Sequence, residues 1–166
     1  MTKKLFITVL SLLVVGGSAQ PSTASPDEPP GAHLRLRGER IQRAHLAADC
    51  WPDENGGLGC SEQRPMTWPQ RDRVGLGTAL RLRVQWKQKP EDVYISTYAS
   101  IRRNGKPRER RNHLDSVLRP RRRDGRIVAW EIVFRPNRER LHYISVLAHV
   151  PHTVVWNVKV RVVDPG

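Results

Sequence analysis

The chain is short of the residues from which metal and redox sites are built. It contains two cysteines, Cys50 and Cys60, and two methionines, one of which is Met1. Nine residues separate the cysteines, so the Cys-x-x-Cys pair of thiol–disulfide enzymes is absent. The stretch between them, "WPDENGGLG", has no histidine to complete a zinc site and lacks the alternating oxygen ligands of a calcium loop. One methionine beyond Met1 is too few for a copper(I) site.

The sequence signatures of common enzymes are also absent. The chain has no Gly-x-Ser-x-Gly elbow, no phosphate loop, no dinucleotide fingerprint and no His-Glu-x-x-His pair. His149 and His152 flank a predicted hairpin, with His142 on the preceding strand, but no neighbouring carboxylate or thiolate completes a metal site. We therefore predict no catalytic residue, no metal ligand and no cofactor.

Only one long apolar run occurs, and it lies at the start. Residues 1–19 have a basic beginning at Lys3 and Lys4, then a largely apolar core of 11 residues, then the small residues Gly-Ser-Ala. A membrane span needs about 20 apolar residues, so this segment is predicted to be a signal peptide cut after Ala19. No later segment is apolar enough to span a membrane. The protein is expected to be secreted, periplasmic or at the cell surface.

Export bears directly on the two cysteines. Thiols outside the cytoplasm oxidise, so a lone pair of cysteines in an exported domain predicts one disulfide, Cys50–Cys60. Closing this short loop is expected to stabilise the fold by about 2–3 kcal/mol on the chain-entropy model.

Alternating apolar and polar residues dominate the rest of the chain. Residues 20–32 are rich in Pro and Ser and predict a flexible linker, which leaves residues 33–166 as one domain. The runs "ALRLRVQW", "DVYISTYASI", "RIVAWEIVF" and "TVVWNVKVRVV" have a period of two, which is typical of half-buried strands. "LHYISVLAHV", "HLRLRG" and "RIQRAHLAAD" predict three more strands. The residues expected to point inward are Leu80, Leu82, Val84, Trp86, Val93, Ile95, Ala99, Ile101, Val128, Trp130, Ile132, Phe134, Val154, Trp156, Val158, Val160 and Val162, and Asn157, Lys159 and Arg161 are expected on the polar side of the last strand.

Turn signals separate these runs. "RRNGK" and "RRDGR" contain Asn-Gly and Asp-Gly, which accept the positive φ of tight hairpins. "RERRNHLDSVLR" allows either a turn or two of helix or a short edge strand. The pattern as a whole predicts an all-β, immunoglobulin-like β-sandwich of about seven or eight antiparallel strands, with a small barrel as the alternative.

The loop "DCW…GC", the late strand "HYISVLAHV" and the closing strand "VVWNVKV" together resemble small exported bacterial proteins of unknown function. The likeness covers most of residues 33–163 and consists mainly of β-sandwich core positions. It therefore implies the fold and the disulfide, and it implies no catalytic residue.

Positive charge is the strongest remaining feature. The chain has 29 Lys and Arg against 16 Asp and Glu, and loss of the signal peptide would leave a net charge of +11. The excess is concentrated in residues 102–126, where 11 basic residues face three acidic ones. Because arginine binds phosphate and carboxylate bidentately, this segment is a candidate polyanion-binding site. Its members are Arg102, Arg103, Lys106, Arg108, Arg110, Arg111, Arg119, Arg121, Arg122, Arg123 and Arg126. The alternative is a solvated surface whose arginines reflect only the arginine-rich composition of the chain.

Two classes of function remain open at this level. The first is an exported, non-catalytic binding or interaction module that contacts an anionic envelope polymer or an acidic glycan through a basic face. The second is an extracellular enzyme or a protease inhibitor with a site built from loops. Sequence-specific nucleic-acid binding is not expected, because no aromatic residues interleave the basic segment. The sequence defines no oligomeric state.

Overall fold

The computed structural model describes residues 28–37, 39–52, 57–70, 72–108, 112–138, 140–150 and 152–164. The predicted signal peptide lies outside these residues and stays a prediction. Every regular element in the described ranges is a β-strand. None of these ranges contains a helix long and apolar enough to cross a bilayer.

The described residues form twelve strands, four or five more than the sequence pattern predicts. In chain order they are β1 (Ala32–Leu36), β2 (Glu39–Arg43), β3 (His45–Pro52), β4 (Leu58–Glu62), β5 (Asp72–Gly75), β6 (Leu80–Val84), β7 (Glu91–Tyr98), β8 (Asn112–Leu114), β9 (Ser116–Arg123), β10 (Arg126–Phe134), β11 (Leu141–His149) and β12 (Thr153–Val163).

The strands form two sheets that pack as a β-sandwich, which confirms the predicted fold class. Sheet A has the order β2-β1-β6-β10-β9, and sheet B has the order β4-β3-β12-β11-β7-β8, with β5 added beside β12. All neighbours are antiparallel except β5 and β12, which run parallel. The barrel alternative is therefore wrong, because the described strands lie in two separate sheets.

The core fills the space between the sheets, and the alternating sequence pattern predicts most of it. Sheet A contributes Leu80, Leu82 and Ile132 from its central strands, all fully buried. Sheet B contributes the alternate residues of β12 from Val154 to Val162, which are all buried as expected. The indole of Trp156 lies among them and donates a hydrogen bond to the Pro30 carbonyl at 3.0 Å, so the end of the predicted linker is attached to the core.

Two predicted orientations are wrong. Val128 was expected to point inward, but a register shift between Ile127 and Ala129 places it on the surface. A bulge inserts one unpaired residue and so resets the alternation of the strand. Asn157 was expected on the solvent side, but it is fully buried because the chain around Thr67 crosses over it.

The described part of "RERRNHLDSVLR", for which the sequence allows either a helical turn or an edge strand, forms strands. β8 pairs with β7 in sheet B, and after Asp115 the chain continues as β9 at the edge of sheet A. Pro120 lies in the middle of β9, opposite Trp130. An edge strand accepts proline because its missing N–H can face solvent instead of a partner strand.

Candidate polyanion-binding face

The predicted disulfide is present and joins two neighbouring strands. Cys50 on β3 and Cys60 on β4 are directly opposite each other in the ladder, with an S–S distance of 2.11 Å. The pair therefore links the edge strand β4 covalently to its neighbour β3 in sheet B. Because both cysteines lie in the same sheet, the bond does not connect the two layers of the sandwich.

The described residues of the basic segment 102–126 do not form one patch. Its residues are divided among three places, and Arg110 and Arg111 lie outside the described residues. Arg102, Arg103, Lys106 and Arg108 lie in the loop after β7, Arg119 and Arg121 lie on β9, and Arg122, Arg123 and Arg126 lie at the β9–β10 turn.

The two glycine turns of this segment lie at opposite ends of the sandwich. The Asn104–Gly105 turn follows the end of β7. The Asp124–Gly125 turn belongs to the end where β7 begins, because Trp130 on the same hairpin donates a hydrogen bond to the Lys87 carbonyl in the β6–β7 connection. β7 is eight residues long and so separates these ends by about 26 Å.

The Asn-Gly turn is also occupied by internal contacts. Gly105 has a φ of 79°, and its carbonyl accepts a hydrogen bond from the Trp68 indole at 2.9 Å. The Met66 amide donates to the Asn104 carbonyl, and the Lys106 ammonium lies 3.8 Å from the Glu62 carboxylate. This turn therefore fastens the chain before β5 to the sandwich.

A larger concentration of arginine occurs on the outer face of sheet A. The buried leucines of β1 and β6 place the intervening arginines on the opposite side of each strand, and direct cross-strand pairing brings in β2, β10 and β9. This arginine face is formed by Arg35, Arg40, Arg43, Arg81, Arg83, Arg119 and Arg121.

One row of the face crosses all five strands. Arg43, His33, Arg83, Glu131 and Arg119 are successive partners in the ladder, from one edge of sheet A to the other. At a strand spacing of about 4.8 Å, the row is roughly 19 Å long. The basic side chains are therefore held in a fixed two-dimensional array by the backbone of the sheet.

Glu131 is the acidic residue at the centre of this array. Its carboxylate accepts two hydrogen bonds from the Arg83 guanidinium, at 2.6 and 3.1 Å. Arg81 and Arg121 approach it at 3.6 and 3.7 Å. One buried carboxylate thus holds three arginines side by side, since without it their charges would repel each other.

The electrostatic environment of the face is visible in two pKa shifts. Burial lowers the pKa of His33, and the charges of four neighbouring arginines lower it further. Its Nδ1 atom is buried and has no hydrogen-bond partner among the described residues. The pKa of Arg35 is also lowered, first by burial and then by the charge of Arg83. Both shifts indicate that positive charge is crowded here beyond what Glu131 neutralises.

Sequence reasoning found only two of the seven arginines, Arg119 and Arg121, among its candidate residues. The signal for the others was present in "HLRLRGERIQR" and "ALRLRVQW", where arginine occupies the polar positions of alternating strands. Long-range pairing between β1 and β6 is what turns two separate stripes into one surface.

The three histidines near the β11–β12 hairpin each contact other residues. His149 is 3.0 Å from the Thr153 hydroxyl, and the His152 ring packs on Trp51 at 5.2 Å. His142 is buried, and its Nε2 lies 2.9 Å from the Arg138 carbonyl. The described part of the chain has no group of three or more His, Cys, Asp or Glu side chains placed to hold a metal ion.

No family model, curated protein or solved structure matches this chain. The resemblance to small exported bacterial proteins of unknown function therefore stays a prediction.

Proposed function

We propose that this protein is an exported, non-catalytic binding module that holds an anionic polymer against the arginine face. The observation that carries the proposal is the array of seven arginines around a single buried carboxylate on the outer side of sheet A. Guanidinium groups bind phosphate, sulfate and carboxylate oxygens through paired hydrogen bonds, and a sheet presents them without a large ordering cost.

Part of the arginine face is available to bind a ligand. Arg81, Arg83 and Arg121 are engaged with Glu131. Arg40, Arg43 and Arg119 are exposed and form no ion pair within the described residues. These three lie on the two edge strands, so a polymer crossing the sheet would meet free positive charge on both sides.

The disulfide supports an oxidising compartment and hence the predicted export of the protein. The strand order supports the immunoglobulin-like type of sandwich. β1, β6, β10 and β9 follow the order of strands A, B, E and D, and β7, β11 and β12 follow the order of C, F and G.

The experiment compares two variants that each lose three positive charges. The first carries Arg40→Gln, Arg43→Gln and Arg119→Gln on the arginine face. The matched control carries Arg102→Gln, Arg103→Gln and Arg108→Gln in the exposed loop after β7. Inorganic polyphosphate serves as the probe, and its affinity for each protein is measured over a series of salt concentrations.

The parent should show log affinity falling linearly with log salt, because binding releases counterions. The face variant should bind more weakly and flatten that slope by roughly two to three, about one for each lost contact. The loop variant should stay close to the parent. Equal losses of polyphosphate affinity in the two variants would show that only net charge matters, and would overturn the proposal. The proposal is also overturned if the parent protein does not bind polyphosphate at low salt.

A further inference from the structure

A concave surface lies on the side of the molecule opposite the arginine face, on the outer face of sheet B. It is an open groove of about 850 Å³ that crosses β3, β12, β11 and β7. This volume is within the range of about 300–1,000 Å³ that small-ligand sites occupy. The groove is separate from the arginine face, because the whole core lies between the two surfaces.

The floor of the groove has an apolar row and a hydroxyl-bearing row beside it. Tyr94, Leu147, Val155 and Ala48 are successive partners across four strands and form the apolar row. The neighbouring row contains His113, Ser96 and Ser145, again as direct partners in the ladder. A ligand lying across the strands would therefore contact apolar side chains on one side and hydrogen-bonding side chains on the other.

One wall of the groove is rigid. It contains the Cys50–Cys60 disulfide and Met66. The chain beyond Met66 is fixed to the sheet, because the buried Asn157 amide donates to the Thr67 carbonyl at 3.2 Å. At the opposite side, β7 adds Tyr98 beside the largely exposed Tyr94 of the floor. The concavity is therefore built into the fold.

The charge of the groove differs from that of the rest of the protein. Neither lysine nor arginine occurs among the lining residues that the structure describes, although the chain has 29 of them. The acidic lining residues already have partners, since Asp49 accepts a hydrogen bond from Ser61 and Glu62 pairs with Arg64. The Arg64 hydrogen bond lowers the pKa of Glu62 and keeps it ionised in that pair. The Asp49 carboxylate has no ion pair among the described residues, so the groove is slightly acidic and can accept hydrogen bonds from hydroxyl groups. It therefore suits an uncharged ligand rich in hydroxyls better than an anion.

The backbone of the floor offers little to an extended peptide. β3, β12 and β11 each have a partner strand on both sides, and β8 covers β7 along Ile95, Ser96 and Thr97, so most backbone groups of the floor are used within the sheet. An extended peptide adds to a sheet through unpaired backbone groups, which are few here. Most hydrogen bonds to a ligand must therefore come from side chains: hydroxyls, carboxylates and His113. Hydroxyl groups both donate and accept, as sugar hydroxyls do.

We propose that this groove binds a short segment of a neutral oligosaccharide. A sugar ring presents a C–H face, which suits the Tyr94–Leu147–Val155 row, and a rim of hydroxyls, which suits Ser96 and Ser145. The Ser145 hydroxyl donates to Asn157 Oδ1 at 2.8 Å, so toward a sugar hydroxyl it acts as an acceptor. Aromatic rings attract the positive edges of C–H bonds toward their electron-rich faces. This site does not depend on anion binding by the arginine face.

The test titrates the disulfide-bonded protein with the neutral trisaccharides maltotriose, cellotriose and tri-N-acetylchitotriose, and follows backbone amide shifts by NMR. Tyr94→Ala should weaken binding by roughly three- to tenfold, in line with the loss of one aromatic contact. Leu147→Trp, which fills the floor, should abolish it. Leu58→Ala is the control, because Leu58 is exposed on β4 but does not line the groove.

Polyphosphate binding by each variant separates this proposal from the first. Retained polyphosphate affinity in Leu147→Trp shows a folded protein whose arginine face still works, so a loss of sugar binding then reports on the groove alone. If none of the three trisaccharides shifts groove residues at millimolar concentration, the proposal is overturned. It is also overturned if Leu58→Ala weakens binding as much as Tyr94→Ala does.

Discussion

Replacing Glu131 by glutamine should change stability and anion affinity in opposite directions. The substitution keeps the size of the side chain but removes the negative charge that holds Arg81, Arg83 and Arg121 together. The folded protein then has three like charges without a counterion, which lowers stability. The same three guanidinium groups become available to an external anion, which raises affinity.

The size of the stability effect follows from burial. Removing one partner of a fully buried ion pair costs about 3–5 kcal/mol. The Glu131 side chain is 3% exposed, but those of Arg83, Arg81 and Arg121 are 24%, 36% and 51% exposed, so water screens part of the interaction. We therefore expect Glu131→Gln to lose about 2–3 kcal/mol, which corresponds to a fall in Tm of roughly 6–15 °C for a domain of this size.

Urea unfolding and polyphosphate titration are the two assays, and Glu62→Gln is the matched control. Glu62 also faces a basic side chain, Arg64, but it is exposed to solvent, so its loss should change stability little. Glu131→Gln should bind polyphosphate more tightly and with a steeper salt slope than the parent. Unchanged stability, or weaker polyphosphate binding by a folded Glu131→Gln protein, would refute the reasoning.

Three further predictions concern the fold. Replacing Cys50 and Cys60 together by alanine should cost about 2–3 kcal/mol in urea unfolding while the β-rich circular dichroism is retained; no loss would mean that the bond does not stabilise the hairpin. Gly105→Ala should lower the Tm of the protein more than Gly125→Ala does. Both glycines have positive φ, but only at Gly105 would a Cβ lie 1.8 Å from a backbone oxygen. Equal falls in Tm would contradict the close packing of this turn. Burial lowers the pKa of His142, so as the pH falls below about 6.5 the unfolded chain binds a proton that the folded protein does not, and stability declines. This decline should be smaller in a His142→Gln variant. A parallel decline in both proteins would exclude His142 as the cause.

The fold was largely predictable because most core strands alternate strictly between apolar and polar residues. β6, β11 and β12 follow the pattern along nearly their whole length, and the buried residues agree with it. β4 was missed because all five of its residues are exposed, so no buried face leaves a periodic signal. β5 was missed because it has only four residues and is attached by parallel pairing to distant β12.

The candidate site was less predictable, for a physical reason. A count of charge along the chain favours a continuous basic segment, and it therefore selected residues 102–126. A β-sheet instead collects one residue in two from strands that are far apart in sequence, such as Arg35 on β1 and Arg119 on β9. Only the pairing of the strands shows that these residues share a face and that Glu131 lies at its centre.

The central claim is that the outer face of sheet A, rather than the basic turns, receives the anionic polymer. Backbone amide NMR shifts measured with increasing polyphosphate locate the contact directly. We predict that the largest shifts occur on β1, β6, β9 and β10, around Arg83 and Glu131, and that they shrink as salt is raised. Shifts confined to the loop of residues 99–108 or to the Asp124–Gly125 turn would contradict the claim.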